Sequence, residues 1–184
     1  MSSSIPLKFG FLVQLANALW RLVWLVFFRI SPPFAGAWRR MLLRLFGAKI
    51  GFGVRVHATT RIRRPWNLIL EDNVRVEPQV ILNANGGIKI GSGTLISQYA
   101  HLCAANHDYR DPSMRYLASP IVVGEGCWIA TDAFVGPDCK IGAGSMLAAR
   151  STAFGDLPGG MLLIGEPAIA VRPRPSAAQG SGKI

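Results

Sequence analysis

Acidic residues are absent from the first seventy positions; Glu71 is the first. The same stretch holds eleven basic residues: Lys8, Arg21, Arg29, Arg39, Arg40, Arg44, Lys49, Arg55, Arg61, Arg63 and Arg64. The remainder has nine basic and ten acidic residues, so the formal net charge of +10 belongs to the N-terminal part. Cysteine is scarce as well. Cys103, Cys127 and Cys139 make an odd count without a CxxC pair, which argues against a disulfide framework or a thiolate metal site. They read as reduced, buried packing residues. Histidine is limited to His57, His101 and His107. The chain opens without a basic n-region and a small-residue cleavage site, so no cleavable signal peptide is expected. With 184 residues, half of them hydrophobic, one domain plus appendages is expected.

What the chain has is a beat of six. Val123, Ile129, Val135, Ile141, Leu147 and Ala153 fall at even steps. The next residue is small (Gly124, Ala130, Gly136, Gly142, Ala148), and the one four places on is compact (Cys127, Ala133, Cys139, Ser145, Ser151). A single strand does not run for thirty residues or place glycine or alanine at every i+1. Upstream the beat runs through Ile50, Val56, Ile62 and Leu68. It slips by two to Leu70, Val76 and Leu82, and again to Ile90, Ile96 and Leu102. Each six is a short strand plus a corner, and three make a coil of about eighteen residues. The aliphatic residues point into a narrow core, and the small residues let coils stack closely. Cys127 should stack on Ser145 and Val123 on Ile141.

The segment 1–46 is basic, apolar and helical. A helix is expected over Phe9–Ile30, broken by Ser31-Pro32-Pro33. A second follows over Phe34–Phe46, with Gly47 as C-cap. The first helix is nearly long enough to span a bilayer but is interrupted by Gln14, Asn17 and Arg21. Three readings stay open: packing on the prism or a neighbouring subunit, lying in a membrane interface, or spanning the membrane. The basic residues carry no nucleic-acid recognition motif, so no nucleic-acid partner is expected. The Pro/Gly/Ser-rich tail 173–184 reads as disordered.

Residues 106–120 (NHDYRDPSMRYLASP) break the beat, and loops on a rigid scaffold tend to carry function. The break contains His107, whereas His57 and His101 fall inside the repeat and should face outward. From position alone, catalysis and a structural role for His107 are both open.

The repeats, the NHDY loop, SPIVVGEGCWIATDAFVGPDCKIGAGS and the later GEPA together resemble the hexapeptide-repeat acyltransferases. SPPFAGAWRRMLLRLFGAKIG, ISQYAHLC and HDY resemble in particular the branch of colanic acid biosynthesis acetyltransferases, relatives of the maltose, galactoside and nodulation O-acetyltransferases. The resemblance covers about residues 20–172. It implies a mainly β fold, a left-handed parallel β-helix over 47–172 with the insertion 106–120, and a homotrimer. It implies acetyl-CoA as co-substrate and a sugar or saccharide acceptor. His107 matches the family's catalytic base, and Asn83, with Asn85 beside it, is the nearest candidate for an acceptor-contacting asparagine. Either asparagine could instead be a corner residue. Carried-over cofactor contacts are Trp128, Thr131, Ala149, Phe154 and Gly155. The backbone amide of Ala130 or Thr131 would face the developing oxyanion. Relatives often have Thr-Lys where Phe154-Gly155 stands; Arg150, Arg172 and Arg174 are candidates to supply the missing charge. Carbonic anhydrase-like relatives gather three histidines, but His57 and His101 fall in other repeat phases than His107, so no metal is expected. The resemblance points to an O-acetyltransferase of exopolysaccharide or lipid-linked saccharide biosynthesis, working in the cytoplasm or at the inner face of the cytoplasmic membrane. An N-acetyltransferase on an amino sugar and a non-catalytic or carbonic anhydrase-like β-helix are the alternatives.

Overall fold

The inward residues form three parallel columns. Ile50, Leu70, Ile90, Val123, Ile141 and Leu157 line the first. Val56, Val76, Ile96, Ile129, Leu147 and Leu163 line the second. Ile62, Leu82, Leu102, Val135 and Ala153 line the third. Each column belongs to one parallel sheet, so the chain winds a three-faced β-helix of five full coils and a two-sided sixth. This computed structural model describes residues 5–6 and 10–175. Val123 pairs with Ile141, and Trp128 with Met146, which sets Cys127 over Ser145 as the repeat predicts.

The small residues are required by the stacking distance. A Cβ on Gly142 would lie 2.3 Å from the Gly159 nitrogen, and one on Gly124 2.5 Å from the Ala143 nitrogen. The compact fourth positions, Val54, Thr60, Val74, Thr94, Ala100, Cys127 and Ser145 among them, are all buried at the corners. Burial pushes the Cys127 thiol up, and takes Cys139 to about 12, so both are protonated packing groups. Cys103 is only half-buried, and its Sγ lies 3.4 Å from Asn83 Nδ2.

The two-residue slips have a structural cause. First-face strands Leu68–Leu70 and Ile88–Ile90 each bury two side chains. The corner entering them uses four residues, 64–67 and 84–87, where later coils use three, 136–138, and then two, 154–155. The long interruption leaves from this same corner of the third coil. It is not an irregular loop but an antiparallel hairpin, Ala105–His107 against Tyr116–Ala118, with Ile5–Pro6 added along its outer edge.

Two helices close the N-terminal end. The first, α1, covers Phe11–Val23 and continues as a wider π-helical turn over Trp24–Phe28; the second, α2, covers Gly36–Leu45. Trp20, Phe28, Leu42 and Leu43 are buried against the first coil. The first coil has no coil beneath it, so its strands would leave unpaired carbonyls at an exposed edge. Cap side chains take them. The Trp20 indole donates to Ile62 O (2.7 Å) and Trp24 to Thr60 O (2.8 Å). Arg39 Nε donates to Val56 O, Arg40 to Val54 O and Arg44 to Ile50 O. Three of the eleven N-terminal cations are therefore engaged in closing a solenoid end. The outward side of the cap keeps Leu12, Leu15, Leu19, Leu22, Leu25 and Phe27 exposed. At the other end, Ala168–Pro173 folds back antiparallel on Met161–Gly165. Arg174 donates to the carbonyls of Gly126, Gly144 and Ser145. Of the tail 173–184, expected to be disordered, residues 176–184 lie outside the described residues.

Candidate active site

His107 ends one hairpin strand and faces solvent. Its Nδ1 lies 2.6 Å from the carbonyl oxygen of Met114. A carbonyl only accepts, so Nδ1 carries the hydrogen and, in the neutral ring, Nε2 keeps its lone pair. Met114 is held at φ +50°, and its amide donates to Asp111 O at 2.7 Å. Asp111 in turn accepts from the amide and hydroxyl of Ser113. Arg115 stands 3.6 Å from both Asp108 and Asp111. The hairpin turn thus orients the imidazole through a fixed backbone carbonyl.

The other side of His107 meets Tyr116 edge-on, with ring centres 5.2 Å apart. The Tyr116 hydroxyl accepts from the Asn85 side-chain amide. Burial pushes the Tyr116 phenol up, opposed by the hydrogen bond from Asn85 and by Arg64 and Arg63. Asn85 is thereby tied to His107 through Tyr116. Asn83 stands two residues away on the third face, beside Arg63 and Cys103 in the register. Its Oδ1 is the one buried side-chain oxygen or nitrogen without a partner among the described residues.

The carried-over cofactor residues divide between two edges of the prism. Trp128 lies on the second face, its indole donating to Ser97 Oγ at 2.8 Å. Ala130 and Thr131 follow at the corner between second and third faces, and Ala149 and Arg150 occupy that corner one coil on. Arg150 N–H donates to Thr131 O, and its guanidinium lies 3.3 Å from Asp132. Phe154 and Gly155 sit instead at the corner between third and first faces, the corner from which the hairpin leaves. Phe154 packs against Phe134 at 5.9 Å. Arg172 is exposed on the returning C-terminal strand.

One sequence expectation is corrected. The Ala130 amide already donates to Leu147 O at 2.9 Å within the ladder, so of the pair only Thr131 can offer an N–H. Arg174 donates through Nη1 to three carbonyls at the corner between first and second faces, which fastens the returning C-terminal strand. His57 and His101 stand away from this group. His57 meets Thr59, and His101 is half-buried edge-on to Phe134, where burial pulls its imidazole down. Among the described residues no group of three or more His, Cys, Asp or Glu could hold a metal ion.

No family model matches the chain. It is 43% identical over 156 residues to "Putative colanic acid biosynthesis acetyltransferase WcaF" of Escherichia coli strain K12, covering 85% of this chain and 86% of that protein. Among solved structures, the hexapeptide-repeat acetyltransferase VCA0836 of Vibrio cholerae superposes with a TM-score of 0.82 at 23% identity, over 90% of this chain and 94% of that one. That protein has also been solved with acetyl coenzyme A. A maltose O-acetyltransferase from Clostridium difficile 630 superposes with a TM-score of 0.81 at 19% identity, over 89% of each chain.

Proposed function

Because the chain belongs to the hexapeptide-repeat acetyltransferases, we propose that it transfers an acetyl group from acetyl-CoA to a sugar hydroxyl in exopolysaccharide or lipid-linked saccharide assembly, with His107 as general base. The observation that carries this reading is the 2.6 Å contact from His107 Nδ1 to Met114 O. It leaves Nε2 aimed outward as a proton acceptor. A sugar hydroxyl is too weak an acid to attack a thioester unaided near pH 7. Nε2 takes its proton as the oxygen bonds to the acetyl carbonyl carbon. The carbonyl oxygen gains charge, and the Thr131 amide is the donor available to it. Collapse breaks the carbon–sulfur bond, and the departing CoA thiolate recovers the proton from the imidazolium. The products are an acetyl ester and free CoA, with His107 neutral again.

Within one chain, His107 and Thr131 belong to opposite edges of the third face. A groove between neighbouring prisms, with one edge from each, brings them together in a homotrimer. In that groove Trp128, Thr131, Ala149 and Arg150 of one protomer face the Phe154–Gly155 edge of the next, with Arg172 near the far end. The name of the Escherichia coli relative supports saccharide biosynthesis as the setting, and the acetyl-CoA complex of the Vibrio protein supports the donor. Acceptor-dependent release of CoA from acetyl-CoA, with a panel of saccharide precursors, tests the activity. Release at the same rate with and without acceptor would contradict it.

The exposed side of the cap fits an anionic membrane surface. Leu12, Leu15, Leu19 and Leu22 form one outward stripe of α1, and Arg29 is exposed beyond its C-terminal end. Phe11–Phe28 is long and apolar enough to cross a membrane, but its indoles bind the first coil. That favours lying on the bilayer over spanning it. The full chain should sediment with vesicles containing anionic lipid, and Leu15→Asp with Leu22→Asp should abolish this. Unchanged partitioning of the double variant would count against membrane docking.

A further inference from the structure

Tyr116, which meets the His107 ring, also lines a cavity of about 220 Å³ together with Asn17, Arg21, Arg63, Arg64 and Asn85. We propose that this cavity binds an oxyanion carried by the acceptor, either a sugar carboxylate or the phosphate that links a saccharide to its carrier. The proposal rests on the acetyltransferase reading of His107 and names the charge class of its acceptor.

The lining contains three guanidinium groups and two amides but no carboxylate. Guanidinium is the side chain best suited to two-point recognition of carboxylate or phosphate oxygens. Arg64 is 4% exposed and adopts φ +53°, so its backbone is fixed at the four-residue corner. Burial lowers its proton affinity, and Arg63 beside it lowers it further, while Tyr116 raises it. A bound oxyanion would offset this concentration of like charge. Arg21 and Asn17 come from α1, whereas Arg63, Arg64 and Asn85 come from corners or strands of the first two coils. The cavity therefore exists only because the cap is docked on the prism by Trp20 and Trp24.

Position gives the cavity its role. Tyr116 lines the cavity and also meets the imidazole at a steep interplanar angle, while its hydroxyl accepts from Asn85. An acceptor whose anion sits among the arginines would cross Tyr116 and bring a hydroxyl to Nε2. Among the cap cations, Arg39, Arg40 and Arg44 close the solenoid edge, whereas Arg21 lines the cavity.

Calorimetric titration of the full chain with inorganic pyrophosphate and with D-glucuronate, in separate experiments without acetyl-CoA, tests the proposal. Pyrophosphate or glucuronate should bind, and Arg21→Gln or Arg63→Gln should each weaken it by about tenfold, the loss expected for a charge-assisted contact. Both arginines are exposed, so these variants keep the fold; Arg64→Lys, which retains the charge, should weaken binding less than Arg64→Gln. Stronger binding of pyrophosphate points to a carrier-linked phosphate, and of glucuronate to an acidic sugar. Binding of neither probe, or binding indifferent to both substitutions, overturns the proposal. So does a tenfold loss of acetyl-CoA affinity in the same variants, which would assign the cavity to the donor. The titrations require no turnover, so their failure leaves the His107 reading standing, and an inactive His107 variant leaves the cavity unaffected.

Discussion

Replacing His107 with alanine lowers the acetyl-transfer rate by roughly 10²–10⁴-fold, the range that a positioned general base contributes. The loss falls on kcat, with the KM for acetyl-CoA little changed, because the imidazole acts on the acceptor hydroxyl and lies on a different prism edge from Trp128 and Arg150. Stability should hardly move. The ring is exposed and makes one hydrogen bond, to a turn carbonyl that water can reach. Steady-state kinetics beside thermal unfolding of the same preparation separates the two effects. A rate within a few-fold of the parent would remove His107 as the base. A large drop in unfolding temperature would make its role structural.

Trp20→Ala should have the largest effect on stability of any single cap substitution. Trp20 is 2% exposed, packs on Phe46 and Phe28, and donates to Ile62 O. Its loss removes a large buried side chain and leaves an edge carbonyl without its donor. Buried tryptophan-to-alanine changes cost about 3–5 kcal/mol. Leu19→Ala, on the exposed side of the same helix, should stay within about 0.5 kcal/mol. Urea unfolding measures both. Equal, small effects would mean that the helix does not depend on the indole anchor. Because α1 supplies part of the arginine-lined cavity, Trp20→Ala should also weaken oxyanion binding.

The prism was readable because each inward residue is repeated by its neighbours above and below, so one pattern is written six times. The slips were readable as slips but not as corners, since the sequence does not say that Leu68 and Leu70 both point inward. The hairpin had no strong alternation and read as a loop; its strands are short and take their pairing from the corner they leave. The role of the α2 arginines was not legible in the sequence because their partners, the carbonyls of the first coil, exist only once that coil is built. Asn83 and Asn85 could not be distinguished by spacing. The four-residue corner decides that Asn85 meets Tyr116 while Asn83 stays beside Cys103. Likewise Ala130 and Thr131 are neighbours, and only the ladder register shows that the first amide is already used.

The most direct test of the account is the mass and alkali sensitivity of the product formed from acetyl-CoA and a saccharide acceptor. The account predicts a product heavier than the acceptor by one acetyl group, formed by the parent protein and not by His107→Ala, and returned to the acceptor mass by mild alkali, as an ester is. An acetylated product that survives alkali would be an amide on an amino sugar, and would contradict transfer to a hydroxyl.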